Sequence, residues 1–146
     1  MQSPSVLAAI APLTAFLFMF ITYREILMDI NDRVGDAAAS VHTIPVTIGP
    51  LPALAVATGC LLVSTVAGFA GLHAAAGTSA IAAAAGGGAA VVQALAGGAF
   101  MLGMLPAWLD VCNVLQSSFN EGVVAAAIDN AFKPIAVGLI LLTVFR

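Results

Sequence analysis

Charged side chains are scarce in this sequence. Among 146 residues there are four lysines and arginines and seven aspartates and glutamates, whereas 62% of the residues are hydrophobic. A soluble domain carries about a quarter charged residues, so these few charges cannot cover a water-facing surface. The sequence therefore predicts a membrane protein embedded in a lipid bilayer. It contains no basic patch, which argues against a nucleic-acid partner.

Cysteines and N-terminal basic residues are also few. Cys60 and Cys112 lie in or beside apolar segments, which is typical of small hydrophobic residues rather than of a disulfide framework. The first positive charge is Arg24, so a classical signal peptide is not expected. Arg24 and Arg33 favour a cytoplasmic, stromal or matrix position for the 23–49 loop. The membrane itself stays open, either a bacterial plasma membrane or an organelle membrane such as that of a plastid.

Long apolar runs dominate what remains. A helix needs about 20 apolar residues to cross the hydrocarbon core, and four segments reach that length. The predicted fold is an all-α bundle of four transmembrane helices in a single membrane domain, residues 1–146. The predicted spans are residues 5–23, 51–73, 79–109 and 122–145. Residues 24–49 are expected to form a helix end, with an exit at Gly35, and a polar loop, and residues 110–121 a short interfacial connection.

Small and polar residues within the spans are expected to hold the helices together. Asp129 and Lys133 are four residues apart, which predicts an ion pair or a position facing an interior cavity. Gln93 predicts a hydrogen bond to a neighbouring helix, and Trp108 predicts a membrane interface. The glycines of the third span predict a seam of close helix packing, and they are Gly86, Gly87, Gly88, Gly97 and Gly98.

Four of the seven acidic residues lie close together after the first span. These residues, the acidic stripe, are Glu25, Asp29, Asp32 and Asp36. On a helix they fall within a wedge of about 60° on one face, where like charges repel and need a compensating cation. Carboxylate oxygens suit Mg²⁺, which usually binds together with phosphate groups. The stripe therefore predicts a magnesium and diphosphate site, and a solvated helix end beside the membrane is the alternative.

The acidic stripe belongs to a longer pattern. Residues 23–36 read YREILMDINDRVGD, and residues 43–49 read TIPVTIG. This order closely resembles the second aspartate-rich motif of the UbiA family of intramembrane prenyltransferases, R-E-x-x-x-D-I-x-D-x-x-G-D followed by T-x-P-x-x-x-G. By layout, the four spans are similar to the second half of that family's nine-helix bundle, in which this motif closes the sixth helix.

The resemblance implies an Mg²⁺-dependent prenyltransferase. Such an enzyme transfers an isoprenyl group from an isoprenyl diphosphate to a hydrophobic acceptor, either an aromatic ring or a lipid alcohol. The resemblance implies that Asp29 and Asp32 are catalytic and bind the metal, with Asp36 as a further ligand. The residues that it implies for substrate binding are Tyr23, Arg24, Glu25 and His42. The metal would stabilise the departing diphosphate, and the apolar bundle would keep water away from the allylic cation.

Two departures from the family pattern bear on activity. Positions that are often basic in the family are here Met28, Ala37 and His42. The family's first motif, N-x-x-x-D-x-x-x-D, has no match in this sequence. The sequence therefore predicts the carboxy-terminal half of an enzyme, inactive without an amino-terminal half. The alternatives are a non-catalytic membrane scaffold or pseudoenzyme, and a small transporter that passes cations along the carboxylates.

Overall fold

The structure, a computed structural model, describes residues 6–78, 80–84, 86 and 88–144. Every regular element within those ranges is a helix, which confirms the predicted all-α class for the described part of the chain. The helices are α1 (Val6–Ala38), α2 (Ile44–Ile48), α3 (Pro50–Thr78), α4 (Ala80–Ala84), α5 (Ala89–Gln116), α6 (Glu121–Asn130) and α7 (Phe132–Val144).

Among the described residues, four helical stretches are long and apolar enough to cross a membrane, which confirms the predicted number of spans. They are Ile10–Ala38, Pro50–Gly77, Ala89–Gln116 and Glu121–Leu141. The last stretch combines α6 with most of α7. The protein is therefore an integral, multi-pass membrane protein. Because a helix of the 33 residues of α1 rises about 50 Å and the hydrocarbon core measures about 30 Å, the polar end of α1 has length to spare beyond the apolar layer.

The first helix and the third span differ from the predicted ones at their ends. Gly35 does not end α1, which continues to Ala38. The third span begins at Ala89 rather than at residue 79, after the short α4. Gly86 lies in a turn with φ of +57° and Gly88 is the N-cap of α5, so neither belongs to a packing seam. Glycine readily adopts non-helical backbone conformations, so a glycine-rich segment can interrupt a helix. Here that effect is stronger than the tendency of small residues to form close helix contacts.

The remaining glycines of the predicted seam have different outcomes. Gly97 is buried, and a Cβ there would lie 2.7 Å from the Phe69 ring, so this glycine does permit a close contact between α5 and α3. Gly98 is exposed, and a Cβ there would meet nothing within 4 Å, so its place in the seam is wrong. Gly87 lies outside the described residues.

The connection between the third and fourth spans is also shorter than predicted. Because α5 runs on to Gln116, the connection covers residues 117–120 instead of 110–121, and Asp110 lies within a helix. Asn120 then begins α6, and its side-chain oxygen accepts a hydrogen bond from the Gly122 N–H at 3.0 Å. This is the usual way in which an asparagine satisfies a free amide at a helix start.

The core of the bundle is built around the pairing of α1 with α3 and of α3 with α5, while α6 contacts both α1 and α5. Aromatic rings fill its centre, and Phe16 of α1 meets Phe100 of α5 edge to face with 5.7 Å between centroids. Hydrogen bonds also cross between helices. The Ser64 hydroxyl donates to the Phe16 carbonyl at 2.9 Å, and the Gln93 amide donates to the His73 carbonyl at 3.2 Å. The second bond confirms the prediction for Gln93.

Trp108 is half-buried and takes part in the same kind of contact. Its indole N–H donates to the Thr65 hydroxyl at 3.3 Å, which joins α5 to α3. Polar contacts of this kind contribute about 0.6–2 kcal/mol each between helices in a membrane. The predicted interfacial role of Trp108 stays a prediction.

One glycine of α3 offers a direct test of this packing. A Cβ at Gly68 would overlap the Phe100 ring and lie 2.9 Å from the Phe16 ring. We expect Gly68→Ala to lower the free energy of unfolding by about 1–3 kcal/mol, because the rings must shift. Gly59→Ala is the matched control, since it lies in the same helix with nothing within 4 Å of its Cβ. That variant should keep or slightly raise the free energy of unfolding. The measurement is unfolding in detergent followed by circular dichroism, and equal midpoints for the two variants would contradict this packing.

Candidate functional site

The acidic stripe occupies the carboxy-terminal part of α1 and faces away from the core. The apolar residues of the same segment are 0–3% exposed, and they are Tyr23, Ile26, Leu27 and Ile30. Helical periodicity places the stripe about 140° around the helix from these buried residues. Within the stripe, Glu25 and Asp32 are exposed and Asp29 and Asp36 are half-buried. The four carboxylates therefore lie on the side of α1 opposite the core, where Glu25 and Asp32 are open and Asp29 and Asp36 are partly covered.

Arg24 neutralises one end of the stripe. Its Nη1 forms a salt bridge with Glu25 Oε1 at 3.1 Å and also lies 3.0 Å from the sulfur of Met28. Its guanidinium stands over the Phe132 ring, 4.8 Å from the centroid, in a cation–π contact. Arg24 thus ties α1 to the start of α7. Its predicted contact with substrate stays a prediction, as does that of Glu25.

The other two predicted substrate residues lie apart from the stripe. Tyr23 is 1% exposed, and its hydroxyl donates to the carbonyl of Ala107 at 3.4 Å. The phenol therefore points into the contact between α1 and α5. His42 is exposed in the segment that joins α1 to α2. The roles of Tyr23 and His42 in substrate binding stay predictions.

Asp36 links the two parts of the sequence pattern. Its Oδ2 accepts a hydrogen bond from the Thr43 hydroxyl at 3.3 Å. Thr43 is the N-cap residue of α2, and Pro45 is buried in the first turn of that helix, where proline is favoured. Gly49 then adopts φ of +90°, a conformation that suits glycine, and the chain passes directly into α3. The local structure thus explains why threonine, proline and glycine occupy these three positions.

Asp29 is the centre of negative charge in the stripe. Its carboxylate interacts electrostatically with Asp36, Glu25 and Asp32. Asp32 Oδ1 also accepts a hydrogen bond from the Asn31 amide at 3.0 Å. Three neighbouring negative charges around a half-buried carboxylate make this position favourable for a cation.

The described residues do not form a three-ligand metal site. No group of three or more His, Cys, Asp or Glu side chains among them is arranged to hold one ion. The helix explains this, because Asp29 and Asp36 are separated by a rise of about 10 Å, whereas Mg²⁺ binds oxygen at about 2.1 Å. Asp29 and Asp32 are only one turn apart. Mg²⁺ commonly takes one or two carboxylates together with phosphate oxygens and water, so this pair fits the ion chemically. The roles of Asp29, Asp32 and Asp36 as ligands stay predictions.

A polar groove between α5 and α6 was missed by the sequence reasoning. It is a shallow groove, wide open at the surface, with a volume of about 580 Å³. Its lining residues are Asp110, Asn113, Gln116, Ser117, Gly122, Val123, Ala126 and Asn130. The signal was the spacing of Asp110, Asn113 and Ser117, which share one face of a helix. That signal was overlooked because these residues were assigned to a connection instead of to the end of α5.

The predicted ion pair of the fourth span does not form. Lys133 Nζ donates instead to the Asn130 side-chain oxygen at 2.7 Å, and Asp129 is exposed. Among the residues that the structure describes, the salt bridge found is that of Arg24 with Glu25. The break between α6 and α7 lies between the two residues, so the regular i,i+4 spacing does not apply there.

Comparison with known proteins adds one short match. No family model matches the chain, and no solved structure matches it. Digeranylgeranylglyceryl phosphate synthase from Haloquadratum walsbyi is 50% identical over 44 residues, which are 30% of this chain and 15% of that protein. The aligned region is thus a small part of the relative. The match supports the resemblance of this chain to UbiA-type prenyltransferases.

Proposed function

We propose that this chain takes part in prenyl transfer from an isoprenyl diphosphate to a hydrophobic acceptor, at a site built on the acidic stripe. The observation that carries the proposal is the stripe itself. Four carboxylates share the side of α1 opposite the core, at the polar end of a helix long enough to span a membrane. The short match to a prenyltransferase supports the same reaction class.

Asp29 and Asp32 have the central role in this proposal. They supply carboxylate oxygens to Mg²⁺, which when bound provides positive charge for the departing diphosphate. Asp36 accepts a hydrogen bond from Thr43 and so fixes the segment that leads into α2. Its other carboxylate oxygen would be a further metal ligand. Glu25 is already balanced by Arg24 and contributes less.

The reaction balances without a further reagent. The bond between the isoprenyl carbon and the diphosphate oxygen breaks, and the electron pair leaves with the diphosphate. A nucleophilic carbon or oxygen of the acceptor bonds to the same isoprenyl carbon and then loses a proton. Because the stripe faces away from the described bundle, the opposite wall of this site comes from outside it. That wall would exclude water from the reacting carbon.

The direct test is binding of diphosphate to the purified chain in detergent, measured by isothermal titration calorimetry. With Mg²⁺ present we expect saturable binding of inorganic diphosphate, weakened about tenfold or more by excess EDTA, because the carboxylates then repel the anion. Inorganic monophosphate is the matched control and should bind more weakly than diphosphate. Equal binding of diphosphate with and without Mg²⁺ would contradict the proposed site.

A further inference from the structure

The groove between α5 and α6 carries an inference that does not depend on prenyl transfer. We propose that it binds a membrane lipid whose headgroup presents an ammonium or hydroxyl group as a hydrogen-bond donor. None of its lining residues belongs to the acidic stripe.

The first argument is an unsatisfied acceptor. Asp110 Oδ1 accepts a long hydrogen bond of 3.5 Å from the Asn130 amide. Asp110 Oδ2 is buried and accepts no hydrogen bond of acceptable geometry within the described part of the chain, although the Asn113 amide lies nearby. A buried carboxylate oxygen without a donor is unfavourable, and native proteins nearly always satisfy such groups. A donor from a bound molecule would complete this site.

The second argument concerns the charge of the ligand. Lys133 lies within electrostatic reach of the Asp110 carboxylate, but its ammonium already donates to Asn130 at 2.7 Å. Lys133 is not among the lining residues, and the lining itself contains one carboxylate and no cation among the described side chains. Such a lining favours an ammonium or hydroxyl donor over a bare anion.

The third argument is the position of the groove. Asp110 lies about 9 Å from the end of α5 along its axis, near the short connection to α6. On the same side of α5, Leu102 is 71% exposed and Leu109 is 53% exposed. At 100° per residue these leucines lie close in angle to Asn113, so a polar groove and an apolar strip follow one another along the helix. A headgroup followed by acyl chains matches that order.

Native mass spectrometry of the full 146-residue chain in detergent can test this site with two lipids. Phosphatidylethanolamine has an ammonium with N–H donors, and phosphatidylcholine has the same charge but no N–H. We expect phosphatidylethanolamine to bind about tenfold more tightly, because only its headgroup can donate to Asp110. Equal affinity for the two lipids would overturn the proposal, and this comparison requires no variant.

Two further arms identify the residue and the source of the headgroup. Asp110→Asn should abolish the preference for phosphatidylethanolamine, whereas Asp129→Asn, an exposed carboxylate outside the lining, should keep it. Retention of the preference in Asp110→Asn, with unchanged helicity by circular dichroism, would overturn the assignment to this groove. Glycerophosphoethanolamine, which lacks acyl chains, should compete poorly. Full displacement at equal concentration would show that a soluble amine, and not a lipid, is the ligand.

Discussion

Replacing Asp29 or Asp32 with asparagine should weaken Mg²⁺-dependent binding of diphosphate by about 100-fold. Loss of a residue that only orients a metal ligand already lowers metal affinity about 10–100-fold, and here a ligand itself is removed. Each change keeps the size of the side chain and removes one negative charge and one ligand oxygen. The two residues are one helical turn apart on the side of α1 opposite the core. Calorimetric titration of inorganic diphosphate in the presence of Mg²⁺ measures the effect.

Two other carboxylates provide matched controls for this result. Asp129→Asn removes an exposed carboxylate from α6 and should leave diphosphate binding unchanged. Glu25→Gln removes a stripe residue that is already paired with Arg24, and its effect should stay below about threefold, since exposed ion pairs contribute little. Wild-type affinity in both Asp29→Asn and Asp32→Asn would identify the stripe as a solvated helix end.

Stability separates loss of the site from loss of the fold. Like charges three or four residues apart on a helix repel by a few tenths of a kcal/mol, so either asparagine variant should be as stable as the wild type or slightly more so without metal. A variant that binds diphosphate poorly and unfolds at the same or a higher temperature has therefore lost a ligand. A variant that loses both binding and stability has lost the local fold of α1.

The helices were predictable where composition alone decides the outcome. Four apolar runs of sufficient length predict four spanning helices. In lipid the backbone N–H and C=O groups must be hydrogen-bonded within the segment itself, and a helix achieves this. The ends were harder, since they depend on local competition. Gly35 did not stop α1, whereas Gly86 lies in a turn and Gly88 precedes α5, so the third span begins later than predicted. A single glycine lowers helix stability by only about 1 kcal/mol, but several in succession add up.

The site was predictable only in its helical periodicity. The spacing of Glu25, Asp29, Asp32 and Asp36 gives a shared face on any helix, whatever the rest of the chain does. Which way that face points depends on tertiary packing. Tyr23 lies two residues before Glu25 in the sequence, yet its side chain enters the core and its hydroxyl donates a hydrogen bond to the Ala107 carbonyl. The α5–α6 groove needs two segments brought together, so the spacing of Asp110, Asn113 and Ser117 could indicate only its α5 side.

Prenyl transfer by the purified 146-residue chain should be at least about 1,000-fold slower than that by an enzyme with two opposed acidic motifs. Removing one group that stabilises developing charge lowers the rate about 100- to 1,000-fold, and here a whole second motif has no counterpart in the sequence. Within the described residues, Glu25 and Asp32 of the stripe are also exposed, so water can reach that side of the site. When diphosphate does leave, water should therefore capture the isoprenyl carbon, and the main product should be the prenyl alcohol.

Chromatography of a radiolabelled isoprenyl diphosphate after incubation with Mg²⁺ and a panel of aromatic and lipid-alcohol acceptors distinguishes these products. Addition of a membrane segment carrying N-x-x-x-D-x-x-x-D should raise the ratio of prenylated acceptor to prenyl alcohol, because it supplies a second set of carboxylates for the metal and further apolar surface against water. The same addition to Asp29→Asn should restore nothing, since the first clamp is then incomplete. Rapid transfer by the chain without that segment would contradict this prediction and would show that one acidic stripe suffices for the reaction.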